Sequence, residues 1–154
     1  MQRKLQTGGL ALRYAIDTSV LVAFFLEEDK FHKKSVTFMD KIFNNEIDYA
    51  CLSAINISET GYVIERATNN ENYAYNCMYS LYNEIPVDII TLSWDFIVTL
   101  AHLKAINPIS FCDNATIAAA NLTRSKALFT REKEFVGKSK ITGSEIVFLE
   151  DIIE

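Results

Sequence analysis

Short apolar runs alternate with amphipathic stretches along this chain. Residues 12–16 form a β-type run that stops at Asp17. The almost wholly apolar run that follows predicts a helix over 19–27, buried on several sides, with Ser19 as a candidate cap. Over 30–45, Phe31, Ser35, Phe38, Met39, Ile42 and Phe43 recur at spacings of three and four, a helical stripe. Residues 47–53 read as a strand and 55–67 as a strong helix. Thr68-Asn69-Asn70 breaks that pattern before a further helix over 71–83, so the two form an αα-hairpin.

A strand over 87–92 follows Pro86. Ser93 can cap a helix over 94–106, which Asn107-Pro108 stops. After a link over 109–112, an alanine-rich helix spans 114–124 and predicts close packing on a sheet. Strands over 127–130 and 146–149 complete the pattern. Strands alternating with helices predict an α/β fold: a three-layer α/β/α sandwich around a central, mainly parallel five-stranded sheet. Right-handed crossovers put the carboxyl ends of the strands on one side, where ligands bind in such folds. No repeat or internal boundary interrupts the pattern, which gives a flexible leader over 1–10 and a single domain over 11–154.

The totals narrow the classes. A chain of 154 residues with 49% hydrophobic content suits one globular domain. A net charge of −5 speaks against a broad DNA-coating face, but not against an enzyme that meets nucleic acid through a metal. Three scattered cysteines without a CxxC pair give no zinc pattern and read as thiols in a reducing cytoplasm. No apolar run is long enough to span a membrane. There is no GxGxxG, P-loop or GxSxG, so no nucleotide cofactor or serine hydrolase is expected.

The chemistry lies in the acids. Asp17 ends the first strand, Asp113 precedes the alanine-rich helix, and Glu132 follows the strand over 127–130. Glu59 lies early in the helix after the second strand and can project to the same edge. Two carboxylates ~4 Å apart repel by about 4 kcal/mol at an effective dielectric near 20. Such a cluster persists with raised pKa values or around a cation, and oxygen donors suit Mg²⁺ or Mn²⁺. Each acid also has an ordinary reading. Asp17 and Asp113 can cap helices, Glu59 can be a solvated helix residue, and Glu132 lies in the charge run Arg131-Glu132-Lys133-Glu134. Arg13, Arg124, Lys126, Arg131 and Lys133 are candidate phosphate contacts or solvated cations.

In order, Tyr14-Ala15-Ile16-Asp17-Thr18-Ser19, Ser53 to Glu59, Ile109 to Ala120 and Leu128 to Phe135 resemble PIN domains, and most of all the VapC-type toxin ribonucleases. The resemblance implies a metal-dependent endoribonuclease holding Mg²⁺ or Mn²⁺ through Asp17, Asp113 and Glu132, with Glu59 as a further catalytic acid. Ser19, Thr130 and Asn114 would support them. Glu132 stands where the family usually has Asp, and Asn114 where it often has a small residue or a second acid. In-line attack would leave a 5′-phosphate and a 3′-hydroxyl. The resemblance further implies an RNA substrate, a homodimer, and a cognate antitoxin lying across a helical groove rich in Tyr73, Tyr75, Tyr79 and Tyr82. Two other readings stay open: a non-catalytic PIN module that binds RNA or protein, and a PIN nuclease of RNA processing outside a toxin pair.

Overall fold

The computed structural model describes residues 10–131, 135 and 141–154. The leader up to residue 9, Glu132 and Lys133 lie outside the described residues. Five strands, β1 (Arg13–Ile16), β2 (Tyr49–Ser53), β3 (Asp88–Ile90), β4 (Lys126–Phe129) and β5 (Ile146–Phe148), form one sheet in the order β3-β2-β1-β4-β5. Every pairing is parallel. The helices are α1 (Thr18–Phe25), α2 (His32–Phe43), α3 (Ala54–Thr68), α4 (Glu71–Asn83), α5 (Trp94–Ile106), α6 (Phe111–Thr123) and α7 (Leu149–Ile152).

The period-two alternation of the strands divides the interior into two cores. Tyr14, Ile16, Leu52 and Leu128 face one side and pack with Phe38, Met39 and Leu81 of α2 and α4. Ala15, Cys51, Ala127 and Phe129 face the other and pack with α5 and α6. The alanines of α6 are fully buried, and the small side chains let that helix contact β1, β2 and β4 at once. The αα-hairpin is α3 and α4, turned by Asn69 in the left-handed region at φ 50° and capped by Asn70. Gly61 makes the close approach possible: a Cβ there would lie 2.2 Å from the Met78 sulfur.

Three local expectations change. Asp17, not Ser19, caps α1, and its Oδ2 accepts from Ser19 N at 2.9 Å. The alanine-rich helix starts at Phe111 rather than at residue 114, because Ser110 caps it by accepting from Asp113 N at 3.0 Å. Asp113 is therefore a first-turn helix residue and not the cap. The last strand gives way at Leu149 to α7.

Candidate active site

Because all strands are parallel, β1, β2 and β4 deliver their carboxyl ends to one edge of the sheet. A cleft of about 590 Å³ opens there, lined by Asp17, Thr18, Ser19, Glu59, Ser110, Asp113, Thr130 and Arg131. Phe31, Lys30 and Asp29 from the α1–α2 turn and Val22 and Val63 from α1 and α3 close its sides. Asp17 reaches it from the end of β1, Glu59 from the second turn of α3, and Asp113 from the first turn of α6.

Asp17 is only 2% exposed. Its Oδ1 accepts from Thr116 Oγ1 at 2.6 Å, and its Oδ2 accepts from Ser19 N. Burial pushes its carboxyl up from the ordinary 3.8 to about 6; the Thr116 and Ser19 hydrogen bonds pull down and the Glu59 charge adds a further rise. Glu59 Oε2 accepts from Thr18 Oγ1 at 2.6 Å. The Cys112 thiol beside them is pushed up to about 12 by burial and then by the charge of Glu59, so it stays protonated. Ser19 Oγ accepts from Thr130 N at 3.0 Å and so ties α1 to the exit of β4. The next residue is held from another side, since Arg131 N donates to Glu150 Oε1 at 2.8 Å.

The expected site residues divide. Asp17, Glu59, Asp113, Ser19, Thr130 and Arg131 come together in the cleft. Glu132 lies outside the described residues. Asn114 does not join the cleft: it is fully buried, its Oδ1 accepts from Asn107 at 3.1 Å and its Nδ2 donates to Ser110 O at 2.8 Å. Its amide secures the link between α5 and α6, a task that suits an uncharged side chain. Arg13 and Lys126 do not face the acids either. Both begin their strands, at the amino edge, where Arg13 donates to Thr123 O at 2.9 Å and stacks on Tyr49. Lys126 pairs there with Glu145 at 3.3 Å. Arg124 follows α6 at the same end, in the left-handed region at φ 53°. Of the described candidate cations, Arg131 lines the cleft, and it pairs with Asp151 at 2.9 Å. Lys30 also lines it, over the Phe31 ring at 4.7 Å. Lys30, Thr18 and Thr116 were not expected from the sequence.

Among the described residues, no three of the His, Cys, Asp and Glu side chains stand close enough to hold a cation by themselves. Mg²⁺ keeps several waters and is commonly held by one or two carboxylates. Asp17 accepts hydrogen bonds from Thr116 and Ser19, and its carboxylate lines the cleft beside Asp113. Burial holds the Asp17 carboxyl above its ordinary value, and a cation at Asp17 and Asp113 would offset that desolvation. The donors are oxygen, which fits Mg²⁺ or Mn²⁺.

The model of the PIN domain family matches residues 14–140. The chain belongs to the PIN domain family. Solved structures share the fold at low identity. The VapC20 toxin of Mycobacterium tuberculosis, described as cleaving the sarcin-ricin loop, superposes with a TM-score of 0.64 at 13% identity, covering 85% of this chain and 98% of that one. VapBC2 of Rickettsia felis, solved on a promoter DNA fragment, gives 0.63 at 13% identity, covering 88% and 98%. DNA-bound VapBC of Salmonella typhimurium gives 0.60 at 12% identity, covering 91% and 99%. Comparison with curated proteins finds no match. No helix of the described part of this PIN domain is long and apolar enough to cross a membrane.

Proposed function

We propose that this PIN domain is a VapC-type endoribonuclease that hydrolyses RNA with a divalent cation held by Asp17 and Asp113, and that it is the toxin of a toxin-antitoxin pair. The observation that carries the reading is the meeting of Asp17, Glu59 and Asp113 in one cleft at the carboxyl edge of the sheet. An ion bound there supplies Lewis acidity, a water of lowered pKa and neutralisation of phosphate charge.

The chain's own groups have distinct tasks. Asp17 is fixed by Thr116 and by Ser19 N, so its carboxylate keeps one orientation. Asp113 extends from α6 and supplies the second carboxylate. Glu59, steadied by Thr18, is placed to orient a water or take its proton. Lys30 and Arg131 are the cleft cations that can meet the phosphates flanking the cut. Glu132 completes the proposed ligand set. Attack in line would leave a 5′-phosphate and a 3′-hydroxyl.

We also propose a cytoplasmic homodimer and a cognate antitoxin. Its landing surface is α4, where Tyr75, Tyr79 and Tyr82 are exposed and the first two rings stack at 6.4 Å. A basic antitoxin would complement the charge of −5. The VapBC complexes among the structural neighbours support the antitoxin partner. The test is cleavage of end-labelled RNA by purified protein with Mg²⁺, Mn²⁺ or chelator, with the product ends mapped. Metal-dependent cuts carrying 5′-phosphates support the proposal. A protein that binds RNA and cuts none with either ion is a non-catalytic PIN module.

A further inference from the structure

Asn56 lies one turn ahead of Glu59 on α3 and is fully buried. It is not a carboxylate and does not line the cleft, yet it lies on the helix of Glu59 and bonds to the neighbours of Asp17 and Asp113. Ser53 caps α3, its Oγ accepting from Asn56 N at 3.1 Å. With that acceptor role filled, the Ser53 hydroxyl gives its one hydrogen to Asn56 Oδ1. Oδ1 is thereby the acceptor end of the amide and Nδ2 the donor end. Nδ2 donates to Thr18 Oγ1 at 3.0 Å and to the Cys112 carbonyl at 3.4 Å.

An amide nitrogen only donates. The Thr18 hydroxyl must therefore accept from Asn56 and send its own hydrogen elsewhere; Glu59 Oε2 at 2.6 Å receives it in preference to the Asn56 carbonyl at 3.4 Å. The chain of bonds runs one way, from Ser53 through Asn56 and Thr18 to Glu59. Thr18 follows Asp17 in sequence and Cys112 precedes Asp113. One buried amide is thus bonded beside two of the acids and, through Thr18, to the third.

We propose that Asn56 is a positioning residue that sets the mutual placement of Asp17, Glu59 and Asp113, and with it the affinity of the cleft for a divalent cation. The inference rests on the nuclease reading for what the acids do, but not for how they are held. Asn56→Asp keeps the shape and replaces the donor with an acceptor. The Thr18 hydrogen is then drawn away from Glu59, and the Cys112 carbonyl faces a like dipole. Thr18→Val removes the relay at constant shape, and Thr18→Ser restores the hydroxyl.

The experiment measures Mn²⁺ binding by calorimetry, kcat and KM on an RNA substrate, and thermal melting for the four proteins. Loss of a group that orients metal ligands costs about 10- to 100-fold in metal affinity or activity. Asn56→Asp and Thr18→Val are expected to lose that much Mn²⁺ affinity and kcat while KM for RNA holds. Thr18→Ser is expected to keep wild-type values. A folded Thr18→Val protein that binds Mn²⁺ like wild type overturns the proposal, and so does a loss that only follows the melting temperature. Should Asn56→Asp fail to fold, the Val and Ser variants at Thr18 decide alone. Weakened Mn²⁺ binding in variants of a wild type that cuts no RNA would sink the nuclease reading and leave the positioning role. Equal Mn²⁺ binding in an active enzyme would do the reverse.

Discussion

Replacing Asp17 with asparagine exchanges a buried carboxylate for a neutral amide of nearly the same shape. The structure gives the size of the effect. The folded-state carboxyl titrates at about 6 against an ordinary 3.8. That difference corresponds to about 3 kcal/mol, and at 2% exposure solvent screens little of it. The folded value lies above the unfolded one, so between the two the folded protein binds more protons than the unfolded chain. The stability tied to this group is therefore fully present below 3.8 and is lost as pH rises through about 6. Asn has no such dependence. Urea unfolding in chelator should find Asp17→Asn more stable than wild type by about 2–3 kcal/mol near neutral pH. The gap should close toward about pH 4. Mg²⁺ should narrow it at neutral pH by stabilising only the wild type. An Asn variant less stable than wild type at neutral pH, or a gap that does not change with pH, would refute the reasoning.

Ser19→Ala removes the acceptor of the Thr130 N–H and should cost about 1–3 kcal/mol, measured by chemical unfolding. RNA cleavage should fall as well, because the exit of β4 toward Glu132 loosens. Arg13→Ala should cost about 1–2 kcal/mol through the lost Thr123 and Tyr49 contacts. It should leave the cleavage rate of folded protein unchanged, and a rate loss without a stability loss would place Arg13 in the site after all. Asp151→Ala breaks an exposed pair and should change stability by about 0–1 kcal/mol. It should tighten RNA binding, read by fluorescence anisotropy, by freeing Arg131 in the cleft.

The fold was legible because each strand stood out as a short apolar run between helical stripes, and the αα-hairpin by its Thr68-Asn69-Asn70 break. The parallel arrangement then carries Asp17, Glu59 and Asp113 to one edge of the sheet. The same logic, applied to the cations, would have removed Arg13 and Lys126 from the site, since both open their strands and sit at the amino edge. The early start of α6 also had a signal. Ser110-x-x-Asp113 is the capping spacing before an apolar run, but Phe111-Cys112 read as part of a link after the Asn107-Pro108 stop. Thr116 and Thr18 were hidden for a different reason. Each is an ordinary helix threonine locally, and each gains its role from a partner distant in sequence, 99 residues away for Thr116 and Asp17. Asn114 entered the expected site through the resemblance, standing where the family often has a second acid, but successive helix residues point apart, and its amide serves the α5–α6 link.

The central claim is that Asp17 and Asp113 act as one unit. Its most direct test is the Mn²⁺-dependent cleavage rate of a labelled RNA by wild type, Asp17→Asn, Asp113→Asn and the double variant. Two carboxylates that share one ion should give single variants nearly as inactive as the double, because removing either already dismantles the unit. Independent losses that multiply in the double variant, or a single variant that cuts as fast as wild type, would contradict it.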